Sequence, residues 1–179
     1  MAEDTLTTET VLQDSGTDDP AEWIRLGIQA ARQKEYEKGL IFLAEAYRRL
    51  SRGSESKIPA AALSYYGLCL AMHKGRVKEA AEFCQLALEK EFYNAEHYLN
   101  LGHVWIVGRS RRKAVDALDR GLAVDPNHGE MQRLRTEMGI RKRPVIPFLG
   151  RDNPLNVSLG KMRVAKKSAG GKPGATAKK

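Results

Sequence analysis

Four histidines, two cysteines and a Gly-Gly-Lys triplet are the residues whose types could support chemistry in this chain of 179 residues. His73, His97, His103 and His128 show no His-x3-His spacing, and Cys69 and Cys84 form no Cys-x2-Cys pair. The ligand spacing of a tetrahedral metal site is therefore missing. Gly170-Gly171-Lys172 has no strand before it and no helix after it, so it does not form a phosphate-binding loop. No Ser, His and acid set can be assembled from spacing. Asn156-Val157-Ser158 matches a glycosylation sequon, but the opening MAEDTLTTETVLQDSGTDDP has neither the basic nor the apolar region of a secretion signal. The reading is a chain that is not an enzyme and takes no cofactor or metal. Cys69 and Cys84 fall on apolar helix faces, as buried thiols of a reducing compartment do, so the expected location is cytoplasmic.

Charge is unevenly distributed. Residues 1–22 carry seven acids and no Lys or Arg, whereas residues 139–179 carry eleven Lys or Arg against one acid. The net charge of +8 is thus largely a property of the C-terminal end. Ala, Leu, Glu, Lys and Arg dominate the middle, as helices prefer. No apolar run approaches the roughly 20 residues needed to cross a bilayer.

The elements that would position side chains emerge from internal repetition. Trp23-Ile-Arg-Leu26-Gly27, Leu63-Ser-Tyr-Tyr66-Gly67 and Tyr98-Leu-Asn-Leu101-Gly102 align as bulky-x-x-bulky-Gly. After each glycine follow a second small residue (Gly39, Ala80, Ala114), a medium apolar one (Leu43, Cys84, Leu118) and a third small one (Ala46, Ala87, Gly121). The third unit closes on Asp125-Pro126-Asn127. This pattern resembles the tetratricopeptide repeat (TPR), W-x2-L-G-x2-Y, then A-x3-F, then P, over about residues 20–127. The second unit departs from it, with an extra residue between Gly67 and Ala80 and Phe92 where proline is expected. The resemblance implies two antiparallel helices per unit, held close at the small positions and forced to stack because one unit cannot bury its apolar face alone.

The expected fold is therefore all-α: a three-repeat TPR-like α-solenoid of helix pairs, a capping helix and an extended C-terminal segment. Asp19-Pro20 predicts a helix start, and helices are expected over about 20–33, 36–50, 59–73, 77–90, 95–107 and 111–124. A capping helix is expected over about 128–140. Four regions follow: an acidic disordered segment (1–19), the TPR-like domain with its cap (20–140), a proline-containing docking segment (141–165) and a Lys/Gly-rich disordered tail (166–179). Pro144, Pro147 and Pro154 forbid a continuous helix in the docking segment, yet Val145, Ile146, Phe148, Leu149 and Leu155 make it too apolar for a free linker.

In a TPR solenoid the first helix of each pair lines the concave side. Carrying the frame onto this sequence places Ile24, Arg25, Ile28, Ala31 and Arg32 there from the first unit. The second contributes Ser64, Tyr65, Leu68, Ala71 and Met72, and the third Leu99, Asn100, His103, Ile106 and Val107. The expected floor is mainly apolar, with packing against the next unit as the alternative for Leu68 and Ile106. Some TPR members clamp a terminal carboxylate with Lys and Asn, but here Arg25, Arg32 and Asn100 are scattered, which argues against a clamp.

The function implied is a protein-interaction module, an adaptor or assembly factor that binds a polypeptide segment in an apolar groove. Two alternatives stand beside it. One is a chaperone similar to the three-repeat TPR chaperones of type III secretion. The other is an accessory protein held on nucleic acid or an anionic membrane by its basic tail, whose lysines without aromatics could meet phosphates but could not stack bases.

Overall fold

In a computed structural model of the chain, the described residues are 8–14, 16–52 and 58–139, with 154, 158, 159 and 162 as isolated positions. The chain divides into two units, residues 1–139 and 140–179. The first unit is helical, and no strand occurs among the described residues. Its helices are α1 (Thr8–Asp14), α2 (Pro20–Arg32), α3 (Tyr36–Ser51), α4 (Ala60–Lys74), α5 (Val77–Lys90), α6 (Ala95–Val107), α7 (Arg111–Val124) and α8 (Gly129–Glu137).

Local chemistry sets most of these boundaries. The Asp19 carboxylate accepts from the Ala21 amide at 3.0 Å and Pro20 fills the first turn of α2. The Asn94 side chain accepts from the Glu96 amide at 3.1 Å to start α6. Each pair turns through one left-handed residue, Lys34, Gly75 or Arg109, with φ of 66°, 68° and 53°. The third turn thus pivots on Arg109 and not on its neighbour Gly108, whose φ is −71°. After the shared glycine α4 runs seven residues to Lys74 where α2 and α6 run five, and its turn is one residue shorter, which absorbs the extra residue of the second unit.

The small positions act as the spacing implies. A Cβ on Gly27 would stand 2.6 Å from Leu43, one on Gly67 2.9 Å from the Cys84 sulfur, and one on Gly102 2.9 Å from Leu118. The same glycine meets the same partner position in all three pairs. The bulky leads Trp23, Leu63 and Tyr98 are buried.

Each pair packs tightly on itself, α2 on α3, α4 on α5 and α6 on α7. Between pairs, α2 touches α4 and α4 touches α6, while α3 leans on α4 and α5 on α6. The row of first helices therefore forms the inner side of the stack. Leu43, Leu63, Leu68 and Cys69 fuse the first two repeats into one core, with Tyr47 and Tyr66 stacked at its edge and Phe83 meeting both rings edge-on. Leu70, Cys84, Leu101 and Val104 join the second and third. Met131 of α8 is fully buried beside Leu99 and Leu118, which closes the last repeat. Arg111 ends α8 by donating to the carbonyls of Met138 and Gly139.

One element differs from the sequence expectation. Residues 8–14, inside the segment expected to be disordered, form α1. Val11 is buried among Trp23, Phe42 and Ala46, and this contact orders a helix too short to persist alone.

Candidate functional site: the inner face of the repeats

The inner face is built from α2, α4 and α6, with the N-terminus of α8 at its far end. It is less apolar and less open than the sequence suggests. Tyr65, Leu68, Leu99 and Asn100 are buried, as are Ala31, Ser64 and Ala71. The reason is the direct contact of successive first helices. Small side chains at 31, 64 and 71 let the repeats close on one another, so the neighbouring large ones become packing between units. Arg25, Arg32, Met72 and Val107 remain exposed, and Ile24, Ile28, His103 and Ile106 are half-buried. The expected apolar floor is thus corrected to an amphipathic strip.

What stands open is tied together by polar contacts. The Arg32 Nε donates to the Tyr65 hydroxyl at 2.8 Å, and that hydroxyl donates to Glu96 Oε1 at 2.6 Å. The other oxygen of Glu96 faces His128 Nε2 at 3.7 Å. His128 Nδ1 accepts from the Met131 amide at 3.5 Å as the cap of α8, which leaves Nε2 to carry the proton facing Glu96. A relay Arg32–Tyr65–Glu96 thereby crosses all three repeats, with His128 of the cap standing beside its last member. Burial, and then the hydrogen bond to Glu96, push the Tyr65 phenol up to about 12, so it remains a hydroxyl that both donates and accepts.

Two further links flank the relay. Asn100 Nδ2 donates to Ser64 Oγ at 3.0 Å in the buried layer, and His103 Nε2 stands 3.2 Å from Glu130 Oε1. Asn100 is therefore consumed in joining repeats. Arg25 is held along its own helix by Glu22, at 2.6 Å, and by Gln29. A shallow cleft of about 400 Å³ lies on α2 among Arg25, Ile28, Gln29, Arg32 and Gln33. Arg32 and Glu96 are joined through the Tyr65 hydroxyl and Arg25 is paired with Glu22, so the charges of the strip compensate one another locally.

Sequence reasoning missed Glu96, His128 and Glu130. A signal existed for Glu96, which lies one helical turn before Asn100 on α6. None existed for His128 and Glu130, whose place depends on how α8 folds back. The candidates Val145, Ile146, Phe148, Leu149 and Leu155 lie outside the described residues, as does the basic tail. Among the described residues no cluster of His, Cys, Asp or Glu could hold a metal ion, and no helix is long and apolar enough to cross a membrane.

Comparison with solved structures defines the class. The TPR domain of Arabidopsis OM64 superposes with a TM-score of 0.54 at 16% identity, covering 67% of this chain and 93% of that one. The Sgt2 TPR domain from Aspergillus fumigatus superposes with a TM-score of 0.54 at 18% identity, covering 91% of this chain and 90% of that one. The fold is a TPR-like α-solenoid of three helix pairs, as the residue pattern implies. No protein-family model matches the sequence, and no curated protein matches it.

Proposed function

We propose that this protein is a non-catalytic binding module, an adaptor or assembly factor of the cytoplasm, whose inner face receives a polypeptide segment. One observation carries the reading: the Arg32–Tyr65–Glu96 relay, part-buried and continuous across three repeats, with Met72 and Val107 exposed toward the C-terminal ends of the same helices α4 and α6. An extended or helical peptide presents backbone polar groups and side chains at regular spacing. The relay answers the first and the apolar residues the second.

The test selects peptides from a random displayed library on the full chain and titrates the best binder. Met72→Glu combined with Val107→Glu changes exposed residues only, so helicity should hold while affinity falls at least tenfold. Leu86→Glu on α5, also exposed, should leave affinity unchanged. Equal binding by all three chains would remove the site from the inner face.

A further inference from the structure

The outer end of the first repeat holds a second surface, independent of the inner face, and its occupant is already visible. The first unit of a solenoid has no preceding neighbour to cover its end. Here Trp23, Phe42 and Ala46 are buried there, with Leu26 and Ile41 half-buried around them. What covers them is α1, seven residues long, which contributes one fully buried side chain, Val11, and one half-buried, Leu12. Thr8, Glu9, Thr10 and Gln13 are exposed. A helix of this length is not stable alone and must order its whole backbone for that single anchor.

The surface beneath is larger than its cover. At Thr8 a cleft of about 340 Å³ continues over Leu40, Ile41 and Ala44 to His73. Past Leu12 another of about 310 Å³ continues over Thr17 to Trp23 and Arg49. The rim carries Arg48, Arg49 and Lys74 against Glu37 and Glu45; Glu45 is bound by both arginines, and Arg49 also meets Asp18 of the N-terminal acidic segment at 3.5 Å. The occupant in place is acidic: residues 1–16, which include α1, hold four acids and no base. Shape and charge therefore fit one ligand chemistry, a helix with an aliphatic stripe and acidic flanks.

We propose that this face of α3, with Trp23, is a docking groove for an acidic amphipathic helix of a partner protein, and that α1 is a resident competitor which the partner displaces. A partner helix of three turns or more would reach the clefts at both ends of α1 and bury aliphatic side chains on Leu40 and Ala44 as well as on Phe42. Because α1 is tethered by a five-residue link, its effective concentration is high and it sets a threshold that the partner must exceed.

The experiment uses full-length chains and one probe, a fluorescein-labelled synthetic peptide copying residues 3–16, read by anisotropy. Val11→Asp releases α1 by placing a carboxylate in the apolar anchor site, and circular dichroism checks that the repeats stay helical. The Val11→Asp chain should bind the peptide at least tenfold tighter than wild type does. A peptide carrying the same substitution should bind neither chain. Adding Arg48→Glu and Lys74→Glu to the Val11→Asp chain should weaken binding at least tenfold. Trp23 emission, measured with Trp105→Phe to remove the second indole, should shift to the red on release of α1 and return when peptide is added. Equal binding to the wild-type and Val11→Asp chains, no binding to the released chain, or binding indifferent to the rim charges would each overturn the proposal. So would a wild-type dimer with α1 exchanged between copies, which would make the occupant a second copy of this chain.

Discussion

Replacing Gly67 with alanine tests the helix-pair register at its tightest point. A Cβ at this position would lie 2.5 Å from the Ala80 backbone oxygen, 2.9 Å from the Cys84 sulfur and 3.3 Å from the Phe83 Cβ. The nearest atom belongs to the backbone of the facing helix, so no side-chain rotation relieves the clash and α4 must move from α5. Overpacking of this kind costs about 1–3 kcal/mol, with Gly67 toward the top because the obstacle is rigid. Alanine returns about 1 kcal/mol of helix propensity, which leaves a net loss of about 2 kcal/mol. For a domain of this size that lowers Tm by about 8 °C. Gly102→Ala is the matched comparison: its Cβ would meet only side-chain atoms, Leu118 Cδ2 at 2.9 Å and Cγ at 3.2 Å. A side chain gives way more readily than backbone, so the cost is lower in the range and helix propensity offsets about 1 kcal/mol of it. Gly129→Ala meets nothing within 4 Å and should lie within about 0.5 kcal/mol of wild type. Urea denaturation followed by far-UV circular dichroism ranks the three. If Gly67→Ala is as stable as Gly102→Ala, the α4–α5 contact is not where the register places it.

Two further outcomes follow from buried titratable groups. His97 is fully buried with only Nε2 near a partner, Glu91 Oε2 at 3.3 Å, and burial lowers its pKa from 6.5 despite that carboxylate. The folded state therefore favours neutral imidazole, so this contribution is present above the unfolded pKa and is lost as pH falls below it. Wild type should lose stability relative to His97→Gln as the pH drops from about 7 to about 5; parallel stability curves would refute the assignment. The thiols of Cys69 and Cys84 are buried, which pushes Cys69 up to about 12 and Cys84 higher still. An aromatic disulfide reagent at pH 8 should label neither in the native protein and both in urea, and rapid native labelling would place a thiol at the surface.

Helix boundaries and pair register were legible in the sequence because both depend on neighbours in the chain. Asp19-Pro20, Asn94 and Gly75 before α5 are local chemistry, whereas the turn before α7 pivots on Arg109 and not on the glycine beside it. The Gly27–Leu43, Gly67–Cys84 and Gly102–Leu118 contacts follow from one repeated spacing within a hairpin. Openness of the inner face was not legible, because it depends on how closely one repeat approaches the next. Leu68 and Leu99 fall at inward-facing positions of the repeat frame, yet they are buried, since Ala31, Ser64 and Ala71 let the first helices touch. The relay shows the same limit. Arg32, Tyr65 and Glu96 come from three repeats, and no periodicity tells which polar groups will meet across them. The helix α1 is the clearest case: residues 8–14 lack the length and the pattern to fold alone, and only the uncovered end of the first repeat, with Trp23 and Phe42, gives Val11 a place to be buried. The chain's local chemistry determined which segments became helices within the repeats; the approach of one repeat to another decided which side chains remain available to a partner.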